Sequence, residues 1–306
     1  MLKSFTAFRF GDRATSILLR GIDGVLPEAT VRNPEKTMWA FAGFSTVFND
    51  LPVFTAADGT VILNVQIRER LLPARVIKEA MVDKVIEYEQ RQGYKPSRKQ
   101  MAELKEEVTM ALLPSSHIKP VDVPVMITRE YLLIGATSAR RIDTTLELLT
   151  QLFEDEKLSL VSLGHGYEVG PWLMDLLLNE STESGDFTVG EEVVLKGSQK
   201  SVARFKAIPA SVEAINDRIT AGMQPVELAV TYGDRMSFKV TDQLLVKGIK
   251  FSDVILKEAE SADAAEEFEG TAALVSQEVN AMLNNLLAGM EMTDSPTTDS
   301  DDEDEL

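Results

Sequence analysis

Cysteine is absent from this 306-residue chain, and histidine occurs only twice, at His117 and His165. Without cysteine the chain can form no disulfide, no thiolate metal site and no cysteine nucleophile, and this composition fits a reducing compartment. Two histidines are too few for a histidine-rich metal site, and a serine–histidine dyad would have to use one of them. Disulfide-stapled folds and thiol enzymes are therefore excluded.

Common nucleotide and hydrolase motifs are also missing. The chain has no P-loop, no GxGxxG after a strand, no HExxH and no GxSxG. The glycines of GHGYEVG, residues 164–170, fit no nucleotide motif and indicate a structural turn. We expect no catalytic residue, no cofactor and no metal site. The alternative is a metal-dependent exonuclease that uses carboxylates alone, although no D-x-D or E-x-K cluster on adjoining strands stands out.

Long apolar runs are missing too. No uninterrupted stretch approaches the roughly 20 residues that a membrane-spanning helix needs, and the first residues lack the apolar core of a cleaved leader. Hydrophobic residues still make up 44% of the chain, enough to bury a substantial core. We therefore expect a globular protein of the cytoplasm, without a membrane partner.

The net charge of −18 is concentrated at the C-terminal end. Of the 49 acidic residues, 15 lie from Glu258 onward, where no Lys or Arg occurs, so residues 1–257 hold 34 acidic against 31 basic residues. Residues 291–306 lack the apolar side chains that would offset ordering entropy, which predicts a disordered acidic tail. The tail could be solubilising, could bind a partner or could mimic DNA. The overall charge therefore does not exclude a nucleic-acid partner.

Hydrophobic periodicity predicts an α+β protein. Alternating residues indicate strands over the first 70 residues, with a hairpin at Asp58-Gly59. A helical period begins after Pro73, breaks near Gly93, and resumes at Ser97, which forms a capping box with Gln100. VPVMITREYLLIGATS then predicts one strand, followed by a helix. The predicted parts are a central β-rich domain (1–72 and 121–170), a helical hairpin (73–120), an α+β region (171–290) and the tail (291–306).

Two arginines stand where the helix after Ser138 begins. A helix start carries partial positive charge, so Arg140 and Arg141 are at the end that disfavours cations. They could hold a phosphate together with the free N–H groups of the helix start. They could equally pair with Asp143, Glu147 or another surface carboxylate, and the residues alone leave both readings open.

Five segments, in order and at similar spacing, carry a family resemblance. They are GTVILNVQIRERLLPARVIKEAMVDKVIEYE, KEEVTMALLPSSH, TSARRIDTTLELL, DRITAGMQPVELAVTYGDRMSFKV and EFEGTAALVSQEVNAMLNNLL. The chain resembles the RdgC family of bacterial recombination-associated, DNA-binding proteins from about residue 58 to 288. The resemblance implies a horseshoe-shaped subunit with a central β-rich part, a tip formed by the helical hairpin (73–120) and an α+β base (171–290). Two such subunits would pair into a ring-shaped homodimer. Double-stranded DNA would pass through the ring without sequence preference, and formation of RecA recombinase filaments would be restrained.

The resemblance also implies residue roles. Paired basic residues at Arg140 and Arg141 would face DNA phosphates. The basic residues around RERLLPARVIK would similarly line the channel, namely Arg68, Arg70, Arg75 and Lys78. The connection QGYKPSRK between the two predicted helices is also basic, and its Lys95, Arg98 and Lys99 could contact the DNA backbone or belong to an ordinary exposed loop. The resemblance would also place the protein on the bacterial nucleoid. Its gene could be chromosomal or belong to a phage.

Two departures from the family pattern concern the dimer contacts. The loop after the second LLP offers His117 and Ile118 in place of an aromatic residue, so closure at the tip would be weaker or pH-sensitive. The base contact would involve Lys206, Ala207 and Ile208, a more apolar seam. A third interpretation makes the acidic tail a docking peptide for a replication or recombination partner, or a competitor for the basic channel.

Overall fold

The computed structural model describes residues 2–10, 29–56, 58–152, 160–182, 185–198, 201–207, 213–259, 261 and 263–292. Most of the predicted acidic tail and the predicted contact residue Ile208 lie outside these ranges. The strands are β1 Ser4–Phe10, β2 Ala40–Ser45, β3 Val53–Thr55, β4 Val61–Leu71, β5 His117–Ile127, β6 Tyr131–Ile134, β7 Leu160–Ser162, β8 Phe187–Lys196, β9 Val202–Lys206, β10 Gln224–Tyr232, β11 Met236–Thr241 and β12 Val246–Phe251.

The helices flank this strand series. They are α1 Ala74–Gln92, α2 Arg98–Leu112, α3 Ala139–Leu152, α4 Leu163–Gly166, α5 Val169–Asn179, α6 Glu213–Thr220, α7 Asp253–Glu258 and α8 Ala264–Ala288. Among the described residues, none of these helices combines the length and apolarity that crossing a membrane requires. The protein is thus α+β, as predicted.

The described strands form one large antiparallel sheet. Its order is β2-β4-β5-β6-β1-β12-β11-β10-β8-β9, with β3 added beside β4 and β7 beside β1. Strand β1 is the join, because it pairs with β6 on one edge and with both β12 and β7 on the other. Residues of the predicted central part and of the predicted base are therefore hydrogen-bonded through β1. The division into domains stays a prediction.

Helices cover the sheet on both faces. The larger core packs α5 and α8 against one face and includes Phe5 of β1, while the second core contains Leu149 of α3 and Phe8 of β1. Phe5 and Phe8 lie in different cores because residues at odd and even positions of a strand face opposite sides of the sheet. The same alternation in β4 sends Val65 and Ile67 into the second core.

The helical hairpin of α1 and α2 has a small core of its own. Ile77, Met81 and Val108 are its buried residues. Gly93 ends α1 with φ of 76°, a conformation that glycine adopts without strain. Both halves of the predicted capping box between Ser97 and Gln100 are present at the start of α2. This segment was predictable because its signals are local.

The sequence prediction fails at one strand. VPVMITREYLLIGATS forms two strands, β5 and β6, joined by a turn in which Thr128 Oγ1 accepts a hydrogen bond from the Tyr131 N–H at 3.0 Å. β5 also begins earlier than predicted, so His117 and Ile118 lie in the strand, opposite Leu71 and Arg70, and not in a loop. Apolar residues continue through the turn, and alternation alone therefore does not show it.

Candidate nucleic-acid interface

The start of α3 is positioned by the turn that follows β6. The N–H of Gly135 donates to the Pro124 carbonyl at 2.8 Å, and a Cβ at this position would lie 2.6 Å from the Pro124 ring. Only glycine allows the chain to pass this close to β5. The helix then begins, and the N–H groups of Arg141 and Ile142 donate to the Ser138 carbonyl.

Arg140 and Arg141 differ in their surroundings. The Arg140 side chain is exposed and forms no hydrogen bond or ion pair with any residue in the described ranges. A guanidinium nitrogen of Arg141 lies 3.9 Å from the Glu69 carboxylate, at the outer limit of an ion pair. The acidic neighbours on the helix, Asp143 and Glu147, pair with neither. One of the two cations therefore has no counter-charge in the described part of the protein.

Arg68 and Arg141 have different partners. Arg68 shares its face of the sheet with Gln66, whose Oε1 accepts a hydrogen bond from Arg68 Nε at 2.9 Å, and Asn33 Oδ1 accepts another from its guanidinium at 2.8 Å. Glu69, one residue further along β4, points to the other face, and its carboxylate is the ion-pair partner of Arg141. The sequence could not reveal these partners, since residues 68 and 141 belong to different elements.

A polar network continues from Arg68 along β4. Asn64 Nδ2 and Gln66 Nε2 both donate to Asp122 Oδ1 at 3.0 Å, and Asn64 also donates to Ser45 Oγ. Asn64 and Asp122 border a cleft of about 610 Å³ between the sheet and α8, and Arg141 reaches its wall. Sequence reasoning missed these residues, although the alternation of polar and apolar residues in β4 marks the polar face.

Arg70 is buried, contrary to the prediction that it contacts DNA. Its guanidinium donates to the carbonyls of Leu113, Pro114 and Pro34 at 3.0 to 3.1 Å, and 9% of the residue is exposed. It thereby ties the end of the helical hairpin to the segment before β2. Arg70 Nε is buried as well and has no hydrogen-bond partner among the described residues. Because the protein encloses this guanidinium, Arg70 is not among the residues that we propose to contact DNA.

The remaining predicted cations lie on the helical hairpin and are exposed. Arg75 pairs with Glu79 at 2.8 Å, and Lys99 lies 4.0 Å from Glu103. Three others have no ion pair with a described residue: Lys78, Lys95 and Arg98. Surface ion pairs such as Arg75–Glu79 contribute little to stability. Another anion can therefore replace the carboxylate beside Arg75 at little cost.

The predicted dimer-contact residues lie at the ends of two strands. His117 is exposed and Ile118 is half-buried at the start of β5. Lys206 ends β9 and lies 3.7 Å from the Glu192 carboxylate, and Ala207 follows with φ of 55°. Lys239 and Lys206 together lower the pKa of Glu192, with Lys239 as the larger influence.

Within the described ranges, no group of three or more His, Asp or Glu side chains is arranged to hold a metal ion. Asp122, the acidic residue in the cleft beside α8, accepts hydrogen bonds from two amides instead.

The structure is that of an α+β protein with one open antiparallel sheet, a core on each face of the sheet and a helical hairpin with a small core of its own. Exposed cations lie on the hairpin and at the start of α3. The family model described as "Putative exonuclease, RdgC" matches residues 1–293. Recombination-associated protein RdgC of Cupriavidus necator is 32% identical over 234 residues, 74% of this chain and 77% of that protein. The corresponding proteins of Ralstonia nicotianae (32% over 253 residues, 80% and 81%) and Bordetella pertussis (30% over 241 residues, 75% and 78%) are similar too. This chain belongs to the RdgC family.

Proposed function

We propose that this protein binds double-stranded DNA without sequence preference and modulates homologous recombination. The observation that carries the proposal is Arg140, an exposed guanidinium in the first turn of α3 with no counter-charge among the described residues. A cation there adds to the partial positive charge of the helix start, which is unfavourable unless an anion binds. A DNA phosphate supplies that anion and accepts hydrogen bonds from the guanidinium.

The other exposed cations support phosphate binding in place of base recognition. Lys78, Lys95 and Arg98 lie along the helical hairpin, and the long side chains of these three have no hydrogen-bond or ion-pair partner among the described residues. Contacts of this kind position DNA and carry no sequence information. Arg141 and Arg68 would contribute less, because Glu69 and the Gln66–Asn33 pair already hold their guanidinium groups.

A ring-shaped homodimer would explain how such contacts affect recombination. Two horseshoe-shaped subunits would meet through His117 and Ile118 at the tip and through Lys206 and Ala207 at the base, around one two-fold axis. DNA inside the ring would be covered on all sides, so RecA recombinase could not extend a filament along it. The recombination-associated relatives support this role, and residence on the nucleoid follows from it.

Salt dependence of binding tests the electrostatic part. Affinity for a fluorescent duplex of about 30 base pairs is measured by anisotropy at several salt concentrations, and each phosphate contact should contribute roughly −0.9 to the slope of log affinity against log salt. We expect a slope steeper than about −3 and equal affinity for unrelated sequences. A slope near zero would contradict the proposal. Retention on closed-circular duplex but not on linear duplex, together with the mass of a dimer, tests the ring.

Exonuclease activity is the second candidate, because the matching family is described as a putative exonuclease. The two functions are separated by incubating end-labelled duplex with the purified full chain and Mg²⁺ or Mn²⁺. Strands that stay at full length favour binding alone. Stepwise shortening that EDTA prevents and that purifies with the protein favours the enzyme.

A further inference from the structure

Trp39 is exposed, although three apolar clusters form among the described residues. Its exposed fraction is 43%, against 6% for Trp172, the other tryptophan. The backbone at Trp39 is fixed, because its carbonyl accepts a hydrogen bond from the Arg70 N–H at 2.8 Å. The indole belongs to none of the three clusters. A rigid backbone that holds a large aromatic ring in water is typical of a binding surface.

The indole forms one wall of a groove of about 480 Å³. Its other walls are apolar on the side of β4 and α1 and charged at one end. The residues are Leu71, Leu72, Pro73, Glu69, Arg140 and Arg70, whose guanidinium is held by backbone carbonyls. The volume lies within the range of small-ligand sites, about 300 to 1,000 Å³. The groove therefore combines an exposed aromatic ring with the one arginine of the pair at the start of α3 that has no counter-charge among the described residues.

We propose that this groove binds one unpaired nucleotide of a DNA strand, with the base stacked on Trp39 and its phosphate held by Arg140. The inference rests on the proposed DNA binding and deepens it, because a base that remains stacked within a duplex offers no face to an indole. Aromatic stacking beside a cation that holds the backbone is how single strands are bound without sequence preference. Duplex and single-stranded DNA would then share Arg140 and differ at Trp39.

The charges of the groove favour a nucleotide over an apolar segment of a partner protein. Glu69 is the acidic residue of the groove, and it lies beside Arg141, which leaves Arg140 available for a phosphate. An apolar protein segment would leave that guanidinium desolvated without a partner, which costs free energy. Gaps, frayed ends and junctions between single-stranded and duplex DNA would be the preferred substrates.

Substitution of Trp39 tests the inference in the full-length protein. Anisotropy compares a labelled single strand of about 20 nucleotides with a closed dumbbell duplex that has no free ends. Trp39→Ala should weaken single-strand binding about 10-fold, within the range for one base–aromatic stack, and change duplex binding less than about 2-fold. Trp39→Phe should retain most of the affinity. Leu178→Ala, another exposed apolar residue (57%) but outside the groove, is the control and should change neither affinity.

Fluorescence supplies an independent measurement. In a Trp172→Phe background, verified as folded by circular dichroism, Trp39 is the only tryptophan, and the single strand should quench its emission while the dumbbell should not. Equal loss of both affinities in Trp39→Ala would overturn the proposal by making Trp39 a duplex contact. Unchanged affinity for both would also overturn it and would assign the groove to a protein partner. If the unmodified protein binds neither DNA, the proposed function fails instead.

Discussion

The hydroxyl groups of Thr60 and Ser276 lie 2.6 Å apart, although 216 residues separate them in the chain. Ser276 also donates to Asp58 Oδ2 at 2.8 Å, and the Asp58 carboxylate accepts from the Thr60 N–H at 2.9 Å. The turn between β3 and β4 is thereby joined to the middle of α8. Phe268 lies about two turns before Ser276 on the same helix and stacks on Phe48, so polar and aromatic contacts both hold α8 in place.

Ser276→Ala should lower the free energy of unfolding by about 1 to 2 kcal/mol, because a fully buried hydroxyl that bridges Thr60 and Asp58 is removed. Urea denaturation measures the change. Ser252→Ala is the contrasting control, since the buried Ser252 hydroxyl has no hydrogen-bond partner in the part of the chain that the structure describes, and its removal should cost less. An equal effect of both substitutions would contradict the assigned bridge.

Arg70→Met should lower the free energy of unfolding by about 2 to 3 kcal/mol and leave the duplex-DNA affinity of the folded protein unchanged. Three backbone carbonyls lose a charged donor in this variant. Lys78→Met should show the opposite combination, with stability retained and DNA binding weakened, because Lys78 is exposed and has no ion pair with a described residue. Weaker DNA binding by a fully folded Arg70→Met protein would restore Arg70 to the interface.

Charge reversal at the start of α3 tests the DNA contact directly. The double variant Arg140→Glu, Arg141→Glu should weaken binding to all duplex sequences alike, by about 10-fold or more at 0.1 M salt. The control reverses two exposed cations elsewhere, Arg218 on α6 and Lys257 on α7, and alters the net charge equally. Similar losses in both double variants would indicate an effect of net charge and no specific contact.

Deleting residues 293–306 should tighten DNA binding at low salt if the acidic tail competes for the basic surface. The truncation begins after Met292 because the Glu291 carbonyl accepts a hydrogen bond from the Glu168 N–H at 2.9 Å. The competition should weaken as salt is raised, since screening acts on both anions. A tail with its Asp and Glu residues changed to Asn and Gln should behave like the deletion. Unchanged affinity at low salt would refute the competition.

Acid should weaken the contribution of Glu192 to stability. Lys239 Nζ donates to Glu192 at 2.6 Å and lowers the pKa of this carboxyl. A lowered folded-state pKa means that the contribution is complete above the unfolded value of about 4.3 and is lost as the pH falls through the folded-state pKa. Glu192→Gln should therefore be less stable than the unmodified protein at pH 7, with the difference closing toward pH 3. Glu191→Gln, an exposed neighbour, should show no such closing difference.

Local signals predicted much of this protein. The capping box at Ser97, the glycine that ends α1 and the hairpin at Asp58-Gly59 depend on residues within a few positions of each other, so the sequence states them directly. The arginines at the start of α3 were found in the same way, by comparison with the charge that a helix start prefers.

Long-range contacts decided the rest. The sequence indicates that Arg68, Arg70 and Arg141 are cationic. Only the tertiary structure gives each of them its partners and encloses the Arg70 guanidinium beneath three carbonyls. Trp39 is likewise apolar in sequence and exposed in the fold. Chain composition determined which chemistries were available, because a missing residue type is missing everywhere. Position relative to solvent depends on which distant elements pack together, and residue spacing alone does not specify that packing.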